Sequence, residues 1–322
     1  MDQIQIERAR LAEVLGLTED ELAREERHAL RGLGGPKEHY ALAELSAYRR
    51  ALRLYPRQRE CRRLLFLNFK GGTGKTSLSV SVAYRLAEMG YRTLLLDLDS
   101  QGHATQCLGY DGEACERTLY DVLVKKAPIE EVRIETPLAE LHLVPASLRM
   151  ATVDLALMPQ SAREYKLTRA IDAVSVQYDF VVLDAPPSFG LLNLNAILAA
   201  DDLYVPVLPD FLSFHGLKLL FETLEDIQED LEHAMARIFV VINQFNPTTK
   251  IARAARAALE EHYAEFLVPR VIRQCTKFAQ ASSEGVPIFA FDPASRGAED
   301  VQALIDSCLE VELPQLAVEE VA

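Results

Sequence analysis

The sequence predicts an α/β protein: a mostly parallel sheet with helices on both faces, preceded by a small helical segment over residues 1–60. Three observations predict it. From Leu64 onward, short apolar runs alternate with segments of helical spacing. The runs are apolar at nearly every position, as strands covered on both faces must be. The chemistry-bearing residues follow directly after the runs, where open α/β sheets bind their ligands.

The elements come in order. "IERARLAEVLGLTEDELARE" places apolar residues at helical spacing, and "GLT" has the rhythm of a turn between two helices. "GLGGP" at 32–36 is a break. "HYALAELSAYRRALRLYP" is a second helical stretch, closed by Pro56, and "RQRECRR" is a basic connection. The boundary falls there, with residues 61–322 forming the main domain. Its runs are "LLFLNF", "RTLLLDLD", "LHLVPA", "DFVVLDAPP", "DLYVPVLP", "IFVVIN" and "FLVPRVI".

The 322 residues suffice for one large α/β domain plus the accessory segment. The net charge, 34 − 48 = −14, argues against wholesale coating of DNA. It leaves room for a local basic patch, because charges are screened beyond about 8 Å at physiological salt. No apolar run approaches the roughly 18 residues of a membrane span. The N-terminus does not read as a signal peptide. The five cysteines, at 61, 107, 115, 275 and 308, form no C-x-x-C pair, so free thiols in a cytoplasmic setting are expected.

"LLFLNFKGGTGKTSLSV" is strand, turn and helix around Gly-Lys-Thr. Gly71, Gly72 and Gly74 let the backbone curl its N–H groups toward phosphates, with Thr73 between them. The following helix start adds its positive dipole end. Lys75 neutralises the β/γ-phosphates and the Thr76 hydroxyl ligates Mg²⁺ in such loops, with Ser77 placed for the α-phosphate. The loop departs from the G-x-x-x-x-G-K-[ST] pattern: Phe69 stands where the first glycine belongs, and Lys70 follows it. "LLLDLDSQGHAT" carries Asp97 and Asp99 on one side of an extended strand, and "FVVLDAPPSFG" ends a buried run in Asp184.

The "KGG-x-GK-[ST]" loop resembles that of the deviant Walker A P-loop NTPases, the ParA/MinD superfamily. That resemblance covers roughly residues 64–310. It implies an ATPase using ATP and Mg²⁺, in which Lys70 reaches across an ATP-sandwich homodimer to the partner's phosphates. Asp99 falls on the family position that polarises the attacking water, with Asp97 a supporting acid. Asp184 matches the position that holds Mg²⁺ through water, and "APPSFG" resembles a γ-phosphate switch. Asn243 matches a position that contacts adenine, and it reads equally well as a strand-end asparagine bonding its own backbone.

"IRQCTKFAQASSEGVPIFAFDPASRGAEDV" looks like the ParA tail, whereas MinD-type proteins end in a basic membrane helix. The acidic "LEVELPQLAVEEVA" here would be repelled by anionic lipid, so no membrane partner is expected. By the same resemblance, ATP-bound dimers would bind DNA non-specifically on the nucleoid. Arg273, Arg296, Lys277, Lys250 and Arg253 are the candidates, with Arg256 and Arg270 beside them. A ParB-like or cargo-adaptor protein would stimulate hydrolysis. The implied function is segregating or positioning a cargo, first a plasmid or chromosomal locus. The alternatives are a protein cluster such as a chemotaxis array or microcompartment, or a metabolic ligase on the same fold. The 1–60 segment suggests either an operator-reading helix-turn-helix or a dimerising module. "TEDELARE" is too acidic to face phosphates, and the arginines of "AYRRALRLYPRQRECRR" are better suited to them.

Overall fold

The computed structural model describes residues 4–33, 35–57 and 59–313. The acidic tail beyond 313 lies outside them. A seven-stranded sheet forms the centre, in spatial order β5 (Ile134–Glu135), β6 (Leu141–Val144), β4 (Thr93–Asp97), β7 (Phe180–Asp184), β3 (Arg62–Phe66), β8 (Asp202–Val207) and β9 (Arg237–Ile242). All neighbours are parallel except β5, which pairs antiparallel with β6 at the edge. Side chains alternate faces as strand geometry requires: Leu64 and Phe66 enter one core, Leu65 and Leu67 the other. Both faces are thus buried, which is why the runs were apolar throughout.

Six of the seven expected strands are present. "FLVPRVI" is instead an extended segment bridged to the β9 edge only near Leu267 and Arg273. The Val268 and Ile272 N–H groups reach β9, and the chain bends between them at Pro269 and Arg270. β5 is two residues long and carried no readable periodicity.

The helices are α1 (Arg8–Val14), α2 (Glu19–Arg27), α3 (Leu42–Leu52), α4 (Lys75–Glu88), α5 (His103–Cys107), α6 (Leu119–Lys125) and α7 (Val153–Leu157). They continue as α8 (Lys166–Asp172), α9 (Leu191–Ala199), α10 (Leu212–Leu231), α11 (Lys250–His262), α12 (Lys277–Ser283), α13 (Ile288–Phe291) and α14 (Arg296–Cys308). α4 and α14 pack on one face, with α8, α9, α10 and α11 contributing to the other core.

The first sixty residues are helical with one addition. β1 (Gln5–Glu7) pairs antiparallel with β2 (His39–Ala41), holding Ile6 opposite Tyr40. Three-residue strands are too short to show alternation. The α1–α2 turn is real, and Thr18 with Glu21 forms a capping box at the start of α2. Leu11, Leu15, Leu22 and Tyr48 of this segment share one apolar cluster with α4. Polar contacts tie it down as well. Arg10 pairs with Glu88 at the end of α4. Arg49, wholly buried, meets Glu140 at 3.2 Å and donates to the Glu88 carbonyl. Ser46 donates to Glu140 at 2.6 Å.

Glu140→Ala leaves the buried Arg49 charge without its counter-ion. Such losses cost about 3–5 kcal/mol, so the denaturation midpoint should fall sharply. A midpoint within error of the parent would show that the Arg49–Glu140 contact does not anchor the segment.

Candidate nucleotide site and its family

Register builds the site. β4 and β7 pair so that Asp97 lies beside Asp184, and Asp184 in turn lies beside Phe66 of β3. Two carboxylates and the start of the 69–74 loop therefore converge at the carboxyl end of the sheet. A cleft of about 880 Å³ opens there, lined by Gly71, Gly72, Gly74, Lys75, Thr76 and Ser77 on the loop side.

Gly74 sits at φ +89° just before α4, and a Cβ there would overlap the Asn243 amide. Asn243 Nδ2 donates to the Thr73 carbonyl at 2.7 Å, and its Oδ1 takes the Gln244 N–H. Asn243 therefore braces the phosphate loop from below, and it is the neighbouring Gln244, donating to the Gly72 carbonyl, that lines the cleft. A contact from Asn243 to a base would require it to surrender the brace. Thr73 is buried, with its hydroxyl turned to the Lys70 carbonyl, and is not among the cleft-lining residues.

Lys75 is 6% exposed, and its ammonium donates to the Lys70 carbonyl at 3.1 Å. Burial lowers its pKa, opposed by the charges of Asp184 and Asp99. Asp184 is wholly buried; it accepts from the Thr76 hydroxyl at 2.8 Å and the Ser79 hydroxyl at 2.9 Å. Burial pushes its carboxyl upward, and Asp97 nearby adds to the push. Asp97 is raised by burial too, and its oxygens accept from the Thr105 N–H and hydroxyl and from the Asp99 N–H. It is thus a structural acid that shapes the Asp99 loop.

The donor set fits Mg²⁺. A hydroxyl and a carboxylate, both hard oxygen donors, stand side by side where negative charge is already costly. Thr76 would hold the ion, with Asp184 behind it, and the ion would supply charge neutralisation for the phosphates. Asp99 lines the cleft opposite the loop; its Oδ1 accepts the Gln101 N–H.

The sequence model of the family described as "AAA domain" matches residues 61–237. The cell division protein PomZ of Myxococcus xanthus is 57% identical over 299 residues, covering 93% of this chain and 91% of that one. The chromosome partitioning protein ParA of the same organism is 33% identical over 241 residues, covering 74% of this chain and 84% of its own.

The chain belongs to the ParA/MinD family of P-loop ATPases.

Among solved structures, cobyrinic acid a,c-diamide synthase from Mycobacterium smegmatis with bound ADP and magnesium superposes with TM-score 0.67. It is 27% identical, covering 76% of this chain and 93% of that one. ATP and Mg²⁺ are the nucleotide and ion of this family's cleft. No helix among the described residues is long and apolar enough to cross a membrane.

Two features of this ParA/MinD-type site had no signal in the sequence. Met150, Ala151, Val153 and Asp154 form the far wall of the cleft. Lys70 is not among the cleft-lining residues: its ammonium pairs with Asp210, 2.9 Å away on the chain's own β8–α10 connection. Burial works against the Asp210 carboxylate, but hydrogen bonds from Lys70 and Ser213 outweigh it and hold its pKa below the usual range.

The basic candidates sort by their partners. Arg273 is clamped by Asp300 and Glu299, Lys277 by Asp292, and Arg256 by Glu260 one helical turn on. Among the described residues, Arg253 and Arg296 meet only main-chain carbonyls and have no counter-ion. Lys250 and Arg270 are exposed, without a counter-ion among the described residues. Three of the seven arginines in the stretch leading into the sheet are engaged: Arg49 pairs with Glu140, Arg62 with Asp202 and Arg63 with Asp172. Carboxylates far along the chain neutralise these three, which the stretch's own sequence could not disclose.

Proposed function

We propose that this chain is an ATP-switched positioner that closes as a homodimer around two nucleotides, holds non-specific DNA on the nucleoid, and is reset when a partner stimulates hydrolysis. The observation that carries the reading is Lys70. It stands at the mouth of the phosphate loop yet is turned away from its own cleft onto Asp210, a surface contact it can exchange for a second subunit's phosphates. Nucleotide charge buried between subunits needs a cation from each side.

Lys70 must first leave Asp210. A partly exposed pair of this kind is worth about 0.4–1 kcal/mol and one breaks in each subunit, so Asp210→Asn should raise the ATP-dependent dimer constant roughly four- to thirtyfold. Asparagine retains an acceptor for the Ser213 N–H that opens α10. Sedimentation in Mg-ATP measures this; an unchanged or weakened dimer would discount the restraint.

For DNA, the structure favours Lys250, Arg253, Arg270 and Arg296 over the ion-paired Arg273 and Lys277. Each phosphate neutralised adds about 0.9 to the log–log salt slope, so reversing Lys250 and Arg253 should flatten it measurably. Dimerisation doubles the patch and ties DNA affinity to nucleotide state.

The cargo we infer is a cell-division assembly. The 57% identity to a protein named for cell division covers 299 of 322 residues, leaving 322 − 299 = 23 unmatched, so it must extend into the segment before Cys61. We read residues 1–60 as a docking module for that assembly. The acidic first turn of α2 and the burial of Arg49 against Glu140 disfavour an operator reader. A chromosomal locus, in line with the relative named for partitioning, is the second reading. Deletion of the gene separates them: misplaced division septa support the first, loss of a DNA locus the second. Sizing and DNA binding in ATP, in ADP and without nucleotide test the mechanism. DNA affinity indifferent to nucleotide would remove it.

A further inference from the structure

The first turn of α9 opens toward the same cleft as the first turn of α4. Helix starts attract anions, and α4 uses its own for the phosphate loop. At α9 the place is taken by a side chain from another element. Asp154 of α7 accepts from the Leu192 N–H at 2.8 Å through Oδ1 and from the Leu191 N–H at 3.2 Å through Oδ2. The approach is so close that a Cβ on Gly190 would overlap Asp154 Oδ2, and its three nearest atoms are all from Asp154. Gly190 is extended, so glycine is required there for space and not for backbone freedom.

The clamp holds the segment between Asp184 and α9. Asn193, in the first turn of α9, donates from Nδ2 to the Pro186 carbonyl at 3.0 Å and the Ser188 carbonyl at 2.5 Å. Phe189 packs against Phe69, the residue before Lys70, with ring centroids 3.5 Å apart and planes tilted by 31°. Pro186, Pro187, Ser188 and Phe189 all line the cleft together with Asp99. The chain of contact thus runs from Asp154 through the α9 start to the loop that faces Asp99, and on to the aromatic pair beside Lys70.

We propose that Asp154 is a positioning residue for ATP hydrolysis: its carboxylate fixes the start of α9 and thereby the 186–189 loop over the reacting phosphate. It also occupies the anion place at α9, so that phosphate is directed to the α4 start alone. The inference rests on the ATPase activity of this cleft and not on dimerisation, DNA or cargo.

The test separates placement from folding. Asp154→Ala should bind ATP and ADP within about threefold of the parent, while single-turnover hydrolysis of preloaded Mg-ATP falls about tenfold or more, the scale expected when a positioned group shifts. Asp154→Asn keeps an acceptor for the Leu192 N–H and should recover part of that loss. Gly190→Ala must expel the carboxylate and should reproduce the hydrolysis defect. In the double variant Asp154→Ala/Gly190→Ala the new methyl no longer meets the carboxylate, so the two defects should not add. Parent-like hydrolysis in Asp154→Ala, additive effects in the double variant, or a loss of turnover matched by an equal loss of nucleotide affinity would each overturn the assignment. Failure of every variant, and of the parent, to bind nucleotide would instead count against the cleft itself.

Discussion

Lys75→Ala should lose nucleotide binding by about two to three orders of magnitude, the cost of removing one partner from a buried, hydrogen-bonded charge pair. The ammonium is nearly sealed from solvent and, among the described residues, donates to a single carbonyl. Its pKa is lowered by burial, so the folded chain binds that proton less tightly than the unfolded one does. The sign follows: at neutral pH the charged lysine costs stability, and stability lost in this way returns only as pH rises past its depressed pKa. A phosphate arriving in the loop supplies the counter-charge that burial has withheld. The variant should therefore fold with a melting temperature close to the parent's, or slightly above it, and show no rise with Mg-ATP. The parent should gain about 2.7 kcal/mol at a hundredfold excess of ATP over its Kd. Isothermal titration and thermal shift measure both halves. A Lys75→Ala chain that still tightens on ATP would show that the loop binds phosphate by backbone N–H groups alone.

Asp99→Ala should leave nucleotide affinity within a few fold and lower hydrolysis by about a hundredfold or more, the range in which a positioned acid or base contributes. Asp99 is placed for this. Its N–H is held by Asp97, its Oδ1 takes the Gln101 N–H, and no donor to its Oδ2 occurs among the described residues. The carboxylate is thus held through one oxygen on a residue that lines the cleft. Under the dimer reading, the variant should accumulate as a dimer in Mg-ATP, because closing continues while opening waits on hydrolysis. Two outcomes have separate meanings. Normal turnover would remove Asp99 from the chemistry. Abolished turnover with a chain that stays monomeric in Mg-ATP would keep Asp99 and discard the sandwich.

Much of this site was legible because its signals are local. Gly71 to Ser77 announce themselves by spacing within seven residues, and Asp184 by ending an apolar run. The "FLVPRVI" run misled because composition does not say where a chain bends, and this one bends at Pro269 and Arg270. Asn243 was placed at the right loop, but its amide is spent on Thr73, 170 positions away in sequence. Arg273 and Lys277 read as free cations until Asp300 and Asp292 appear beside them.

The sequence by itself determined the parallel sheet, the phosphate loop and the acids at the strand ends. Each of these is written in a short window, by side-chain period or by the chemistry of neighbouring residues. The tertiary structure alone decided that Lys70 faces Asp210, that Asp154 seals the start of α9, that the first sixty residues share a core with α4, and which arginines keep their charge. Those are pairings between residues tens to hundreds of positions apart. Only the folded chain brings the two halves of each pair within the few ångströms over which hydrogen bonds and ion pairs act.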